Sequence, residues 1–263
     1  MSNVPILQLQ NVGKTFGGLR AVDQLSLTVE SGEIVGLIGP NGAGKTTVFN
    51  CVTQFYKDYD GDILFQNKEG QIVNLRDYKV TQVISQGLAR TFQNVELVKD
   101  LSIIDNLLIG GHYEFTTGIV QHIFMTPKAR REERQMRQKA ETILESLGIL
   151  HLKDFYVAGQ PYGILKKIEI ARTLMSDPKL IILDEPAAGL NDQETDELEQ
   201  IIRQIKKDYN VTILLIEHDM GFVMNLCDRV CAINFGRFLA FDTPEMIQKN
   251  QAVIEAYLGG DNV

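Results

Sequence analysis

Nine residues, "GPNGAGKTT" from Gly39, put three glycines ahead of a lysine and two hydroxyls. They follow the apolar run Ile34 to Ile38 and lead into an amphipathic stretch through Phe49 and Val52, so they join a buried strand to a helix. In that setting the pattern G-x-x-x-x-G-K-[ST], met by Gly39, Gly44, Lys45 and Thr46, is a phosphate loop. Residues without a Cβ let successive N–H groups turn inward as a nest, Lys45 reaches terminal phosphates, and Thr46 offers its hydroxyl to Mg²⁺. The expected nucleotide-binding set is Gly39, Pro40, Asn41, Gly42, Ala43, Gly44, Lys45, Thr46 and Thr47, and the ligand a nucleoside triphosphate. A net charge of -8 does not oppose this. The donors act at contact distance, and remote charge is screened within about 10 Å.

Two further apolar runs end in groups that complement such a loop. "LIILDEP" places Asp184 and Glu185 at the C-terminal end of a second buried strand, where open parallel sheets bind ligands. Asp184 is expected to hold magnesium through water, and Glu185 to act on the attacking water as general base or orienting group. "ILLIEHD" ends a third strand with His218, within reach of a γ-phosphate or the water if the strands lie side by side. A fourth stretch, "QPYGILKKIEIARTL", sets Gly163 at the start of a helix, where unpaired N–H groups and the positive end of the dipole favour an anion.

The elements that must position these groups are legible in outline. Leu25, Leu27 and Val29 alternate with polar residues as a half-exposed strand, and "GDILFQNKEGQIV" predicts a hairpin around Lys68 to Gly70. "TPKARREERQMRQKAETILESLGI" predicts a long helix ended by Gly148, with Met136, Ala140, Ile143, Leu144 and Leu147 on one face. Six Lys/Arg against two Glu fill Lys128 to Lys139, which reads as a solvated face or as a contact with lipid headgroups or a partner. Beyond it, Leu180–Leu183, Val211–Ile216 and Val230–Ile233 alternate with helical stretches at 164–176, 192–208 and 220–227, which implies a parallel sheet covered on both faces. The fold class is α/β, with a mostly helical middle inserted between two parts of one core.

Composition narrows the function. The longest apolar runs are far below the roughly 18 residues of a membrane span, and "MSNVPILQLQ" carries no secretory signal, so a cytoplasmic location is expected. Cys51, Cys227 and Cys231 form neither a disulfide framework nor a metal set and read as buried thiols. The acidic balance makes nucleic acid an unexpected partner.

The phosphate loop, "ARTFQN", "IEIARTL", "LIILDEP", "AGLN" and "IEHD" occur in an order that resembles ATP-binding cassette proteins over nearly the whole chain. "GLNDQETDEL", "LIEHDMGFVMNLCDRV" and "AVIEAYLGG" resemble one of the paired ATPase subunits of branched-chain amino acid importers. The resemblance implies a P-loop NTPase (RecA-like) core with an antiparallel β subdomain and an inserted helical subdomain. It implies one domain over 1–263, with core at about 1–94 and 168–245, helical subdomain at 95–167 and a C-terminal helix at 246–263. It further implies that Phe16 stacks on adenine, that Gln93 touches Mg²⁺ and the water, and that His218 is the switch histidine. Gly189 to Asn191 would communicate across a head-to-tail dimer with a sister ATPase. In that dimer Pro161, Tyr162 and Gly163 face the γ-phosphate of the partner's ATP, and the helical lobe grips a membrane permease served by an external binding protein.

The usual signature is L-S-G-G-Q, whereas this chain has Gln160, Pro161, Tyr162, Gly163 and Ile164. Pro161 has neither a hydroxyl nor an N–H to donate, so a weaker contribution to the partner's ATP, and hence an asymmetric pair, is one expectation and tolerance of the change the other. Urea or lipopolysaccharide transport, a soluble ATPase without a transport role, and a regulatory subunit that only binds nucleotide remain as alternatives at this level.

Overall fold

The computed structural model describes residues 4–91, 97–112 and 126–258. In chain order the strands are β1 (Leu7–Phe16), β2 (Leu19–Val29), β3 (Ile34–Ile38), β4 (Asp60–Gln66), β5 (Ile72–Asn74), β6 (Leu88–Arg90), β7 (Leu180–Asp184), β8 (Thr212–Ile216), β9 (Arg229–Asn234) and β10 (Arg237–Asp242). The helices are α1 (Lys45–Val52), α2 (Val80–Val83), α3 (Ile103–Gly110), α4 (Pro127–Ser146), α5 (Tyr162–Leu174), α6 (Asp192–Asp208), α7 (Met220–Leu226), α8 (Pro244–Gln248) and α9 (Gln251–Leu258).

Every residue of β3, β7 and β8 is buried, as near-continuous apolar runs require when both faces of a parallel sheet are covered. They lie in a sheet of order β10-β9-β3-β8-β7-β6, all parallel except β10 against β9. Side chains alternate between its faces. Ile34, Ile38, Ile181, Leu183, Ile213 and Leu215 pack with the helical residues Leu144, Ile168, Leu198 and Val223, whereas Val35, Leu37, Ile182, Leu214 and Ile216 pack with Val48, Phe49 and Val52 of α1. The second core also takes Leu7, Leu9, Leu27 and Ile63 from an antiparallel sheet of order β2-β1-β4-β5. Three layers result, with the parallel sheet in the middle.

The expected hairpin is present, β4 pairing with β5 and Gly70 donating to the Asn67 carbonyl at 2.9 Å. So is the long helix α4, capped by Thr126 and begun on Pro127, with Met136, Ala140, Ile143, Leu144 and Leu147 buried. α5 starts two residues earlier than the apolar pattern indicates, because Pro161 serves as its N-cap. Three features differ from the sequence reading or escape it. β6 has only three residues, too few to show a period. β10 returns from β9 through Phe235 and Gly236, both at positive φ, a two-residue turn that lacks the usual Asn-Gly pair. In place of one helix from 246 the chain has α8 and α9, separated at Asn250, whose side chain accepts from the N–H groups of Ala252 at 3.0 Å and Val253 at 3.3 Å. A capping side chain offers the backbone a better partner than continuation would; residues 259–263 lie outside the described chain.

Cys51, Cys227 and Cys231 are free and buried, and burial pushes each thiol up to about 12. An unfolded thiol ionises near about 8.5. Between those values the unfolded chain sheds protons that the folded chain keeps, so stability falls as pH rises from about 9 towards 12. We expect all three thiols to resist a thiol reagent at pH 8 until urea unfolds the chain, and the urea midpoint to drop between pH 8 and pH 10. Rapid labelling of the native protein would overturn this account.

Candidate nucleotide-binding site

The register of the parallel sheet brings the predicted groups to one edge. Leu37 of β3 lies opposite Ile216 of β8, and Ile216 lies opposite Asp184 of β7, so the chain leaves all three strands at the same level. Because β8 and β9 flank β3 on opposite sides, the loop after β3 leaves the sheet where the order of connection reverses, the place where such sheets bind ligands.

That loop is shaped by its neighbours. A Cβ at Gly39 would stand 2.3 Å from the Ile233 carbonyl oxygen of β9, and one at Gly44 would stand 2.4 Å from the Ala21 carbonyl oxygen of β2. Gly44 is also left-handed, φ 99°, at the N-cap of α1, and no side chain caps that helix. Its first N–H groups are therefore left to a ligand. Ala43 is buried and its carbonyl accepts from Gly236, while Asn41, Gly42 and Thr46 are exposed and Pro40 and Thr47 half-buried. Lys45 is buried, and its Nζ donates to the carbonyl oxygens of Gly39 at 2.6 Å and Pro40 at 3.1 Å. Burial lowers its pKa, and the charge of Glu185 partly offsets this. An ammonium held by two loop carbonyls, a nest of glycines and an uncapped helix fit a phosphate chain.

Asp184 is 3% exposed, and its Oδ2 accepts from Arg90 Nη2 at 2.5 Å. Arg90 also donates to Asn50 Oδ1 at 2.7 Å, so one guanidinium joins β6, β7 and α1. Glu185 adopts left-handed backbone, φ 47°. Its N–H donates to the Ile216 carbonyl at 2.9 Å, and its own carbonyl accepts from Ala188 at 3.2 Å. Glu217 is fully buried and accepts from the N–H groups of Ala187 at 2.8 Å, His218 at 2.9 Å and Asp219 at 3.3 Å. The His218 ring is exposed, with Nδ1 3.6 Å from a Glu217 carboxylate oxygen.

The signature residues lie elsewhere. Gly163 stands in the first turn of α5, and Pro161, its N-cap, makes no side-chain hydrogen bond. A Cβ on Gly163 would be 3.1 Å from Glu194 Oε1, and one on Gly189 would be 3.2 Å from the Tyr162 ring. The surroundings of Gly163 come from α6 and Leu190, with no residue of the phosphate loop among them. Phe16 is 41% exposed at the end of β1, its ring 5.2 Å from that of Tyr56, with Lys14 Nζ 4.8 Å away. Gln93 lies outside the described residues, within 92–96.

Sequence reasoning missed Arg90, Glu217 and Tyr257. Arg90 stands in "ARTFQN", and Glu217 closes an apolar strand as Asp184 does; that shared signal could have found it. Tyr257 of α9 carried none. Burial pushes its hydroxyl up to about 12, with the Gly39 backbone beside it drawing the other way. Among the described residues no cluster of His, Cys, Asp and Glu is set to hold a metal unaided. Asp184, whose Oδ2 is held by Arg90, and Thr46, exposed on the loop, are oxygen donors of the kind a hard cation takes. Replacing Arg90 with Met strands the buried Asp184 carboxylate, and urea unfolding should show a loss of about 3–5 kcal/mol. A loss under about 1 kcal/mol, the worth of an exposed pair, would mean that the pair is dispensable.

Comparison with known proteins agrees with this geometry. Residues 22–188 match the ABC transporter family, and residues 239–262 match the family described as branched-chain amino acid ATP-binding cassette transporter. The chain is 43% identical over 255 residues to the high-affinity branched-chain amino acid transport ATP-binding protein LivG of Escherichia coli K12, covering 97% of this chain and 98% of that one. It is 44% identical to BraF of Pseudomonas aeruginosa, of the same description, with the same coverage. The ADP conformation of MJ1267, an ATP-binding cassette of an ABC transporter, superposes with a TM-score of 0.82 at 31% identity, covering 97% of this chain and 99% of that one. Among the described residues no helix is long and apolar enough to cross a membrane. With its phosphate loop, strand-end carboxylates and histidine in one register, and with these matches spanning its length, the chain belongs to the ABC transporter family of ATPases.

Proposed function

We propose that this chain is the ATP-binding and ATP-hydrolysing subunit of an importer for branched-chain, hydrophobic amino acids, and that it powers a membrane permease. One observation carries the reading: the loop from Gly39, the pair Asp184–Glu185 and the segment at His218 leave β3, β7 and β8 at one level. The backbone N–H groups of residues 39–47 and the ammonium of Lys45 hold the phosphates, and Phe16 packs on the adenine. Glu185 orients the attacking water and draws its proton, and His218 contacts the γ-phosphate. Thr46, Asp184 and Gln93 would hold Mg²⁺, which supplies neutralising charge at the phosphates when bound. Pro161, Tyr162 and Gly163 serve the ATP of a sister ATPase docked head to tail, with residues 189–191 between the two sites.

In this reading the core is formed by about 1–94 and 168–245 and the helical lobe by 95–167, and the assembly sits on the cytoplasmic face of the membrane. An apolar groove lined by Phe55, Val80, Val83, Ile84 and Leu88 abuts Arg90, just before the segment of Gln93. With Phe55 66% and Val80 46% exposed, it suits an apolar segment of the permease. The solute is chosen by the permease and an external binding protein, and nucleic acid takes no part.

Turnover of ATP by the purified chain, alone and with its sister subunit, tests the assignment, with Glu185→Gln as control. The pair should hydrolyse, the single chain barely, and the control should be silent while still binding ATP. Binding without turnover in any assembly, permease included, would reduce the chain to a nucleotide-gated regulator. If Pro161 and Ile164 weaken the signature, Ile164→Gln should raise turnover of the assembled transporter at least twofold; an unchanged rate would show that the departure is tolerated.

A further inference from the structure

We infer that Glu217 is a positioning residue for ATP hydrolysis: its carboxylate locks the loop after β7 to the loop after β8, so that Glu185 and His218 address one γ-phosphate. The inference rests on the roles proposed above for those two residues.

Glu217 is 0% exposed, a position where an isolated carboxylate is costly unless several donors meet it. Among the described residues no lysine or arginine is ion-paired with it, and the exposed His218 ring comes within 3.6 Å. Three backbone N–H groups supply the compensation. Oε1 accepts from Ala187, two residues beyond Glu185, and Oε2 accepts from His218 and Asp219. A carboxylate acceptor makes stronger bonds to N–H donors than a neutral acceptor does. Their donors lie on two segments about thirty residues apart in sequence, at 187 and at 218–219. A leucine would fill the same place at lower desolvation cost, but it would leave those donors unpaired and the two loops independent.

The turn that Glu217 grips is itself unusual. Left-handed backbone is uncommon outside glycine, and Glu185 adopts it. Its N–H is held by the last residue of β8 through the Ile216 carbonyl, and Ala188 closes the turn on the Glu185 carbonyl. The bond from Ala187 to Glu217 is a second tie from that turn to the end of β8. Conformations of this kind persist only where the surroundings over-determine them. Glu217 thus couples the backbone that aims Glu185 to the backbone that carries His218. The loop that continues to Gly189 and Leu190 is anchored at the same point.

Glu217→Gln keeps the volume but turns an NH₂ group toward one set of N–H donors, so only one loop stays bound. Glu217→Asp keeps the charge but is a methylene too short to span both. In the assembly that shows turnover dependent on Glu185, each variant should lower kcat at least tenfold and leave KM for ATP within twofold. Amide exchange at 187, 218 and 219 should rise at least tenfold, while the interiors of β7 and β8 keep their protection. A kcat within twofold of the parent chain would overturn the inference. So would faster exchange throughout both strands, because Glu217 would then be a support of the whole sheet. A silent Glu185→Gln alongside a fully active Glu217→Gln refutes this inference alone; an active Glu185→Gln refutes the reading beneath it.

Discussion

The pairing of β3 between β8 and β9 is the constraint on which the rest depends. Parallel strands exchange evenly spaced, slanted hydrogen bonds, so fixing Leu37 against Ile216, and Asp184 against Ile216 one strand over, fixes the height at which three loops begin. A slip of one residue in any strand would move its buried set to the other face. It would exchange, for example, Ile182 and Leu214 with Ile181 and Ile213, which belong to different cores. The apolar packing on both faces thus specifies the register, and the register brings a nest of N–H groups, two carboxylates and the segment of His218 to the volume at one edge of the sheet.

That volume is arranged around charge in both senses. Lys45 is curled into carbonyls of its own loop, Asp184 is engaged by Arg90, and Glu217 by backbone amides. Each buried ionised group therefore has a partner before any ligand arrives, as the desolvation cost demands. Binding a phosphate chain exchanges some of these contacts for new ones without building a site from loose parts. The overall charge of -8 matters little beside this, because the local donors are within bonding distance and the surface carboxylates are not.

What was legible in the sequence follows from how local the signal is. β3, β7 and β8 announce themselves as apolar runs ended by glycine or acid, and α6 as the helical stretch 192–208, which in the structure begins on a capping box of Asn191 and Glu194. The phosphate loop is legible because its chemistry is contiguous. Arg90 and Glu217 stand inside legible motifs, but their roles depend on partners 94 and 30 residues away, at Asp184 and Ala187, and nothing in a linear pattern pairs them. β10 stayed hidden because Phe235 occupies a turn position that glycine or asparagine usually marks. The break between α8 and α9 turned on one side chain, Asn250, choosing the backbone over solvent.

The mouth of α5 shows how two helix starts divide the work of one place. Helix α6 begins beside it, and the charge of its positive end is met by Glu194, one oxygen of which accepts from the Asn191 N–H at 3.0 Å. The other oxygen lies close to Gly163, so a carboxylate is already near the second mouth. The capping-box bond and the positive end of α6 offset part of its charge, and the rest opposes a phosphate arriving at Gly163. The start of α5 has no such answer, since Pro161 caps with no side-chain bond and lacks an N–H of its own. What remains for an incoming anion is the dipole and the amides from Tyr162 onward. Those amides supply the directed bonds, and Pro161 adds no side-chain hydroxyl donor to them. In the proposed head-to-tail pair, this start of α5 is the feature on which the asymmetric alternative rests, against the alternative that the change at Pro161 is tolerated.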